Sequence, residues 1–93
     1  MSPNQKAVLI ALATSYAEDN CFCVMSFAGI AKRSGLDRKL IRRTVRALAR
    51  KGYASYERGC WTDDGEMAGS GYQCSQDGYL YAKQQGFIKE DEQ

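Results

Sequence analysis

The sequence predicts an α+β domain, mainly α, with three helices, a β-hairpin and a short C-terminal helix. Three observations carry that prediction. Apolar residues recur at three- and four-residue intervals through the first half of the chain, aromatic and β-prone residues replace them after Gly52, and Ser75 restarts helical spacing near the end. At 93 residues the chain has room for one small core. A composition of 44% apolar and 26% charged residues fits a folded globular domain rather than a disordered one.

The first helix opens with Ser2 as N-cap and Pro3 at the first helical position, where a missing N–H does no harm. Val8, Leu9, Leu12, Ala13, Tyr16 and Ala17 then form an apolar stripe that runs out near Asp19-Asn20. Cys21 to Met25 is apolar and β-prone, but five residues cannot separate a brief strand from a buried connection. Ser26 caps a second helix reaching about Arg33, with Phe27, Ile30 and Ala31 facing inward. Ser34-Gly35-Leu36 breaks it: Gly35 suits the left-handed conformation of a helix end, and Asp37 suits the N-cap of the helix that follows.

The third helix, Arg38 to Lys51, separates core from charge most cleanly. Ile41, Val45 and Leu48, with Thr44 beside them, share one face, while Lys39, Arg42, Arg43, Arg46 and Arg50 share the other. Gly52 ends it. Tyr53 to Trp61 and Tyr72 to Cys74 read as the two arms of a hairpin, with Thr62-Asp63-Asp64-Gly65 and Ala68-Gly69-Ser70-Gly71 forming a long irregular tip. Ser75 caps the last helix, which carries Tyr79, Leu80 and Ala82 and ends before Gly86. The domain is therefore expected over residues 1–86, and residues 87–93 as an acidic tail.

Charge is distributed unevenly. Nine of the thirteen Lys and Arg residues lie between Lys32 and Lys51 against the single acid Asp37, so this segment carries +8 while the whole chain carries only +2. A solvated helix face normally mixes signs. A nearly pure positive one is the footprint of a nucleic-acid-binding element.

Other chemistries find little support. The chain has no histidine, which removes the commonest general base and any Ser-His or Cys-His pair, and no paired-acid or phosphate-loop motif stands out, so no enzyme and no cofactor is expected. Cys21, Cys23, Cys60 and Cys74 lack the C-x₂-C pairing of zinc sites and read as free thiols in packing positions, with no metal expected. The longest mainly apolar stretch, Ala7 to Ala13, is too short to span a bilayer, and the N-terminus lacks secretory features. No membrane partner is expected. A cytoplasmic, nucleoid-associated location in a bacterial or phage-infected cell is the expectation.

The order helix, helix, basic helix, hairpin, helix is that of a winged helix-turn-helix domain. Ser26-Phe27-Ala28-Gly29-Ile30-Ala31-Lys32-Arg33-Ser34-Gly35-Leu36-Asp37, with Val45 to Tyr53, resembles the signature of bacterial and phage winged-helix regulators. Tyr72-Gln73-Cys74-Ser75-Gln76-Asp77-Gly78 is similar to the strand-to-helix junction of MarR-like proteins. The resemblance covers about residues 26–84. It implies that the third helix is a recognition helix in the major groove of double-stranded DNA. Arg38, Lys39, Arg42 and Arg43 would read base edges; Arg46, Arg50, Lys32 and Arg33 would hold the backbone.

The hairpin departs from the family pattern. It carries Glu57, Asp63, Asp64 and Glu66 against Arg58, a composition that repels phosphate. Arg58 therefore makes a single local DNA contact, or the hairpin meets a protein partner through Trp61, supported by Tyr53, Tyr56 and Tyr72, whose alternative role is packing. MarR-like regulators dimerise through long terminal helices, and a long C-terminal one is not evident here; the apolar stripe of the first helix, Val8 to Tyr16, is the candidate homodimer surface, the alternative being a monomer that buries this helix internally. The function expected is sequence-specific DNA binding by a small bacterial or phage transcriptional regulator. A protein-interaction module, or a phage DNA-packaging or replication accessory protein, is the alternative.

Overall fold

The computed structural model describes residues 1–19, 23–58, 61–62 and 70–88. In chain order the elements are α1 (Pro3–Asp19), β1 (Cys23–Val24), α2 (Phe27–Ser34), α3 (Arg38–Arg50), β2 (Ala54–Arg58), β3 (Trp61–Thr62), β4 (Ser70–Cys74) and α4 (Gln76–Gln84).

The centre of the molecule is α1, started by the Ser2 hydroxyl, which accepts from the Gln5 N–H at 3.2 Å. Val8, Leu9, Leu12 and Ala13 are buried, and so are Ala11 and Ser15, which widens the buried arc beyond the expected stripe. The reason is contact on several sides: α1 packs against α2, α3, α4 and β4. The stripe from Val8 to Tyr16, the expected self-association surface, packs into the domain's own core.

The joint between α2 and α3 follows from its caps. Ser26 accepts from the Gly29 N–H at 3.0 Å, Gly35 ends α2 at φ 76°, and the Asp37 carboxylate accepts from the Lys39 N–H at 2.9 Å. Ile30, Ile41, Thr44, Val45 and Leu48 are thereby turned onto α1 and buried. Each large aliphatic side chain buried this way contributes about 1.5–3 kcal/mol. The other end of α3 closes in a Schellman motif, with Gly52 donating to the Ala49 carbonyl and Tyr53 to the Leu48 carbonyl, both at 3.0 Å. At φ 85° Gly52 is left-handed, so a side chain there costs about 1–2 kcal/mol.

Residues Ala54 to Arg58 of β2 pair antiparallel with Cys74 to Ser70 of β4. On the other edge of β4, Tyr72 exchanges two backbone hydrogen bonds with Met25, at 2.7 and 3.1 Å. Cys23 to Met25 is thus extended, while Cys21 and Phe22 of the same expected segment lie outside the described residues. After β2, β3 runs parallel to β1, pairing Trp61 with Cys23 and Thr62 with Val24, and residues 63–69 of the expected tip lie outside the described residues. The backbone of Trp61, expected as an anchor beside the turn, thus lies in a strand laid along β1.

Ser75 joins the hairpin to the last helix. Its hydroxyl accepts from the Gly78 N–H at 2.9 Å and donates to the Gly52 carbonyl at 2.6 Å, while its N–H donates to the Tyr53 carbonyl at 3.1 Å. Gly78 allows this approach, since a Cβ there would overlap the Tyr53 carbonyl. Beyond α4, Phe87 and Ile88, which the sequence assigns to the tail, pack half-buried against the core. Burial pushes the Cys74 thiol up to about 12, so it packs as a neutral apolar group. No helix among the described residues is long and apolar enough to cross a membrane.

Candidate nucleic-acid interface

The burial of α3 fixes what it shows to solvent. With Ile41, Thr44, Val45 and Leu48 turned inward, Arg38, Lys39, Arg42, Arg43, Arg46 and Arg50 all lie on the exposed arc. Among the described residues none of these six side chains has a hydrogen-bond or ion-pair partner. Asp37 is the neighbouring acid, and its carboxylate is engaged in the cap.

The arc has two sides. Lys39, Arg42, Arg43, Arg46 and Arg50 surround an open depression of about 350 Å³. Arg38, Arg42 and Arg46, one turn apart, form a wall of a larger cleft of about 540 Å³ between α3 and the hairpin sheet. Tyr56, Tyr72 and Gly71 form the sheet side, and Met25, Ser26 and Phe27 complete the lining. Arg42 and Arg46 border both spaces.

The rings in the cleft are ordered by one another. Tyr56 and Tyr72 are direct cross-strand partners and meet edge to face with centroids 5.2 Å apart, and Tyr72 lies nearly parallel to Phe27 at 6.1 Å. Tyr56 remains 51% exposed. Strand alternation puts Glu57 on the opposite face of β2, where its carboxylate accepts from the Ser55 hydroxyl at 3.1 Å. Among the hairpin acids, Glu57 therefore points away from the cleft; Asp63, Asp64 and Glu66 lie outside the described residues.

The remaining sequence-derived candidates are more scattered. Lys32 and Arg33 are exposed on the last turn of α2, and Arg58 ends β2 with its backbone paired to Ser70. Tyr53, offered as an interface aromatic, is a packing residue stacked on Tyr81 at 4.7 Å.

A family model described as a helix-turn-helix domain matches residues 1–54, which span α1, α2, α3 and the start of the hairpin. The chain belongs to that helix-turn-helix family. In full length, the helix-turn-helix domain is similar to the crystal structure of a candidate DNA-binding protein from Ralstonia eutropha JMP134. The two are 26% identical, the match covers 91% of this chain and 96% of that one, and the TM-score is 0.70. The likeness therefore extends past the helices to the hairpin and α4, the winged arrangement. No curated protein matches the chain significantly.

Sequence spacing found every cation of this helix-turn-helix domain's exposed arc. It missed the cleft, whose aromatic wall is formed by pairing across strands. The available signal was the alternation of Ala54 with Tyr56 and of Tyr72 with Cys74, which places both tyrosines on the face whose far end is core.

Proposed function

We propose that the chain binds double-stranded DNA, with α3 in the major groove, as a small sequence-specific transcriptional regulator of a bacterium or phage. The observation that carries this reading is the exposed arc of α3: six cations, no acid, and no partner for any of them among the described residues. Exposed, unpaired cations crowded on one helix face repel each other, so the arrangement suits a polyanion that fits a helix. In this reading Arg38, Lys39, Arg42 and Arg43 approach base edges from the N-terminal half, where guanidinium groups match guanine acceptors. Arg46, Arg50, Lys32, Arg33 and, from the hairpin, Arg58 hold phosphates. The similar protein from Ralstonia eutropha, itself described as DNA-binding, supports the same reading.

Selection from random duplexes followed by anisotropy titration tests it. A consensus site should emerge, with log affinity falling as log salt rises by about 0.9 per phosphate contact. Reversing Arg42 and Arg43 together to Glu should weaken binding at least ~100-fold with the circular dichroism spectrum unchanged. Unaltered duplex affinity in that variant would remove the proposal and leave the basic arc to an acidic protein partner.

A further inference from the structure

The larger cleft offers chemistry that a paired duplex does not use. We propose that it is a nucleotide site, taking one unpaired nucleotide with its base stacked on the Tyr56 ring and its phosphate held by Arg38, Arg42 and Arg46. Its volume of about 540 Å³ falls within the roughly 300–1,000 Å³ typical of small-ligand pockets. One wall carries three guanidiniums on successive turns of α3, each able to hold a phosphate oxygen pair. The facing wall is aromatic: Tyr56 is half-exposed and meets Tyr72 edge to face, and Tyr72 in turn lies against Phe27.

That combination of a cationic track beside a stacking platform is how proteins hold unpaired bases. A base inside a duplex is already stacked and paired, so it cannot offer its face to Tyr56. Glu57, directed to the other face of the sheet, adds no repulsion. The nucleotide has two sources: an overhanging or extruded nucleotide of the DNA that α3 holds, which rests on the function proposed above, or a free nucleotide, which does not.

Anisotropy with three probes separates these cases: a blunt duplex carrying the selected site, the same duplex with a short oligo-dT tail, and the blunt duplex in the presence of millimolar dAMP or dTMP, whose direct binding is followed by calorimetry. The tail should tighten binding about tenfold, the size expected for one base on one ring. Tyr56→Ala should abolish that gain while binding blunt duplex as the wild type does, and Tyr56→Phe should keep it. Direct mononucleotide binding that Tyr56→Ala removes would support the site with a free nucleotide as its occupant. Equal affinity for blunt and tailed duplex together with no mononucleotide binding overturns the proposal, as does a tail preference that survives in Tyr56→Ala. Blunt-duplex binding without either effect leaves α3's role intact and removes only this site; nucleotide binding without duplex binding does the reverse.

Discussion

Two regions of this domain are built from tyrosines and cations, yet they differ in where the partners come from. Around α4 each group is matched inside the chain. Tyr16 meets Tyr79 at 4.9 Å, Tyr53 stacks on Tyr81, Tyr81 meets Phe87 edge-on, Lys83 sits 5.3 Å over Tyr79 and Lys6 sits 4.9 Å over Phe87. In the cleft beside α3 the same kinds of residue face one another across open space. Arg38, Arg42 and Arg46 line one side and Tyr56 and Tyr72 the other, and none of these three arginines has a partner among the described residues. The first region holds α4 to the body. The second holds groups ready for something from outside, and residue type alone does not tell the two apart.

The largest effect expected from this contrast is on stability. Tyr81 is half-buried between Tyr53 and Phe87, so Tyr81→Ala removes two ring contacts and should cost about 2–3 kcal/mol. For a chain of this size that lowers the melting temperature by about 10–20 °C. Tyr56→Ala removes a ring of similar size but should cost about 1 kcal/mol or less, because the ring is half in water already. Thermal unfolding of the two variants side by side decides the matter, and equal losses would mean that Tyr56 is a packing residue.

A smaller effect is expected at the joint between the regions. Ser75 caps α4 and reaches back to Gly52 at the end of α3, so it ties the packed side to the exposed helix. Ser75→Ala should cost about 1–2 kcal/mol, the ordinary value of a helix N-cap. Ser75→Asp keeps an acceptor for the Gly78 N–H but loses the donor toward Gly52. Because the Gly52 carbonyl is open to water, Asp should recover most of the loss. If Asp is as destabilising as Ala in urea titrations, the link to Gly52 outweighs the cap.

The contrast also explains what the sequence shows and what it hides. The caps Ser2, Ser26, Asp37 and Ser75, the stops Gly35 and Gly52, and the buried face Ile41, Thr44, Val45 and Leu48 are all local properties, set within one or two turns. They were legible for that reason, and with them the whole basic arc. The breadth of α1's buried surface was not, because Ala11 and Ser15 are buried only once α4 and the hairpin close over a helix whose stripe suggests one face. The pairing of β3 with β1 was hidden likewise: it joins residues nearly forty positions apart through segments of two residues each. The cleft needed both kinds of knowledge, helical phase for its arginines and strand register for its tyrosines.

The smallest effects carry opposite signs. Lys83→Ala removes a cation over the Tyr79 ring along with the packing of its stem, so stability should fall by about 0.5–1 kcal/mol. Arg46 has like charges one turn away on both sides, Arg42 and Arg50, and no partner among the described residues. Each like pair at that spacing costs about 0.2–0.5 kcal/mol. Arg46→Ala should therefore stabilise the free protein by roughly 0.5 kcal/mol at low salt, and added salt should shrink the gain, since the Debye length falls to about 3 Å at 1 M ionic strength. The same substitution should weaken duplex binding. A destabilised Arg46→Ala would show that Arg46 is held from within, as Lys83 is, and would take one wall of the cleft with it.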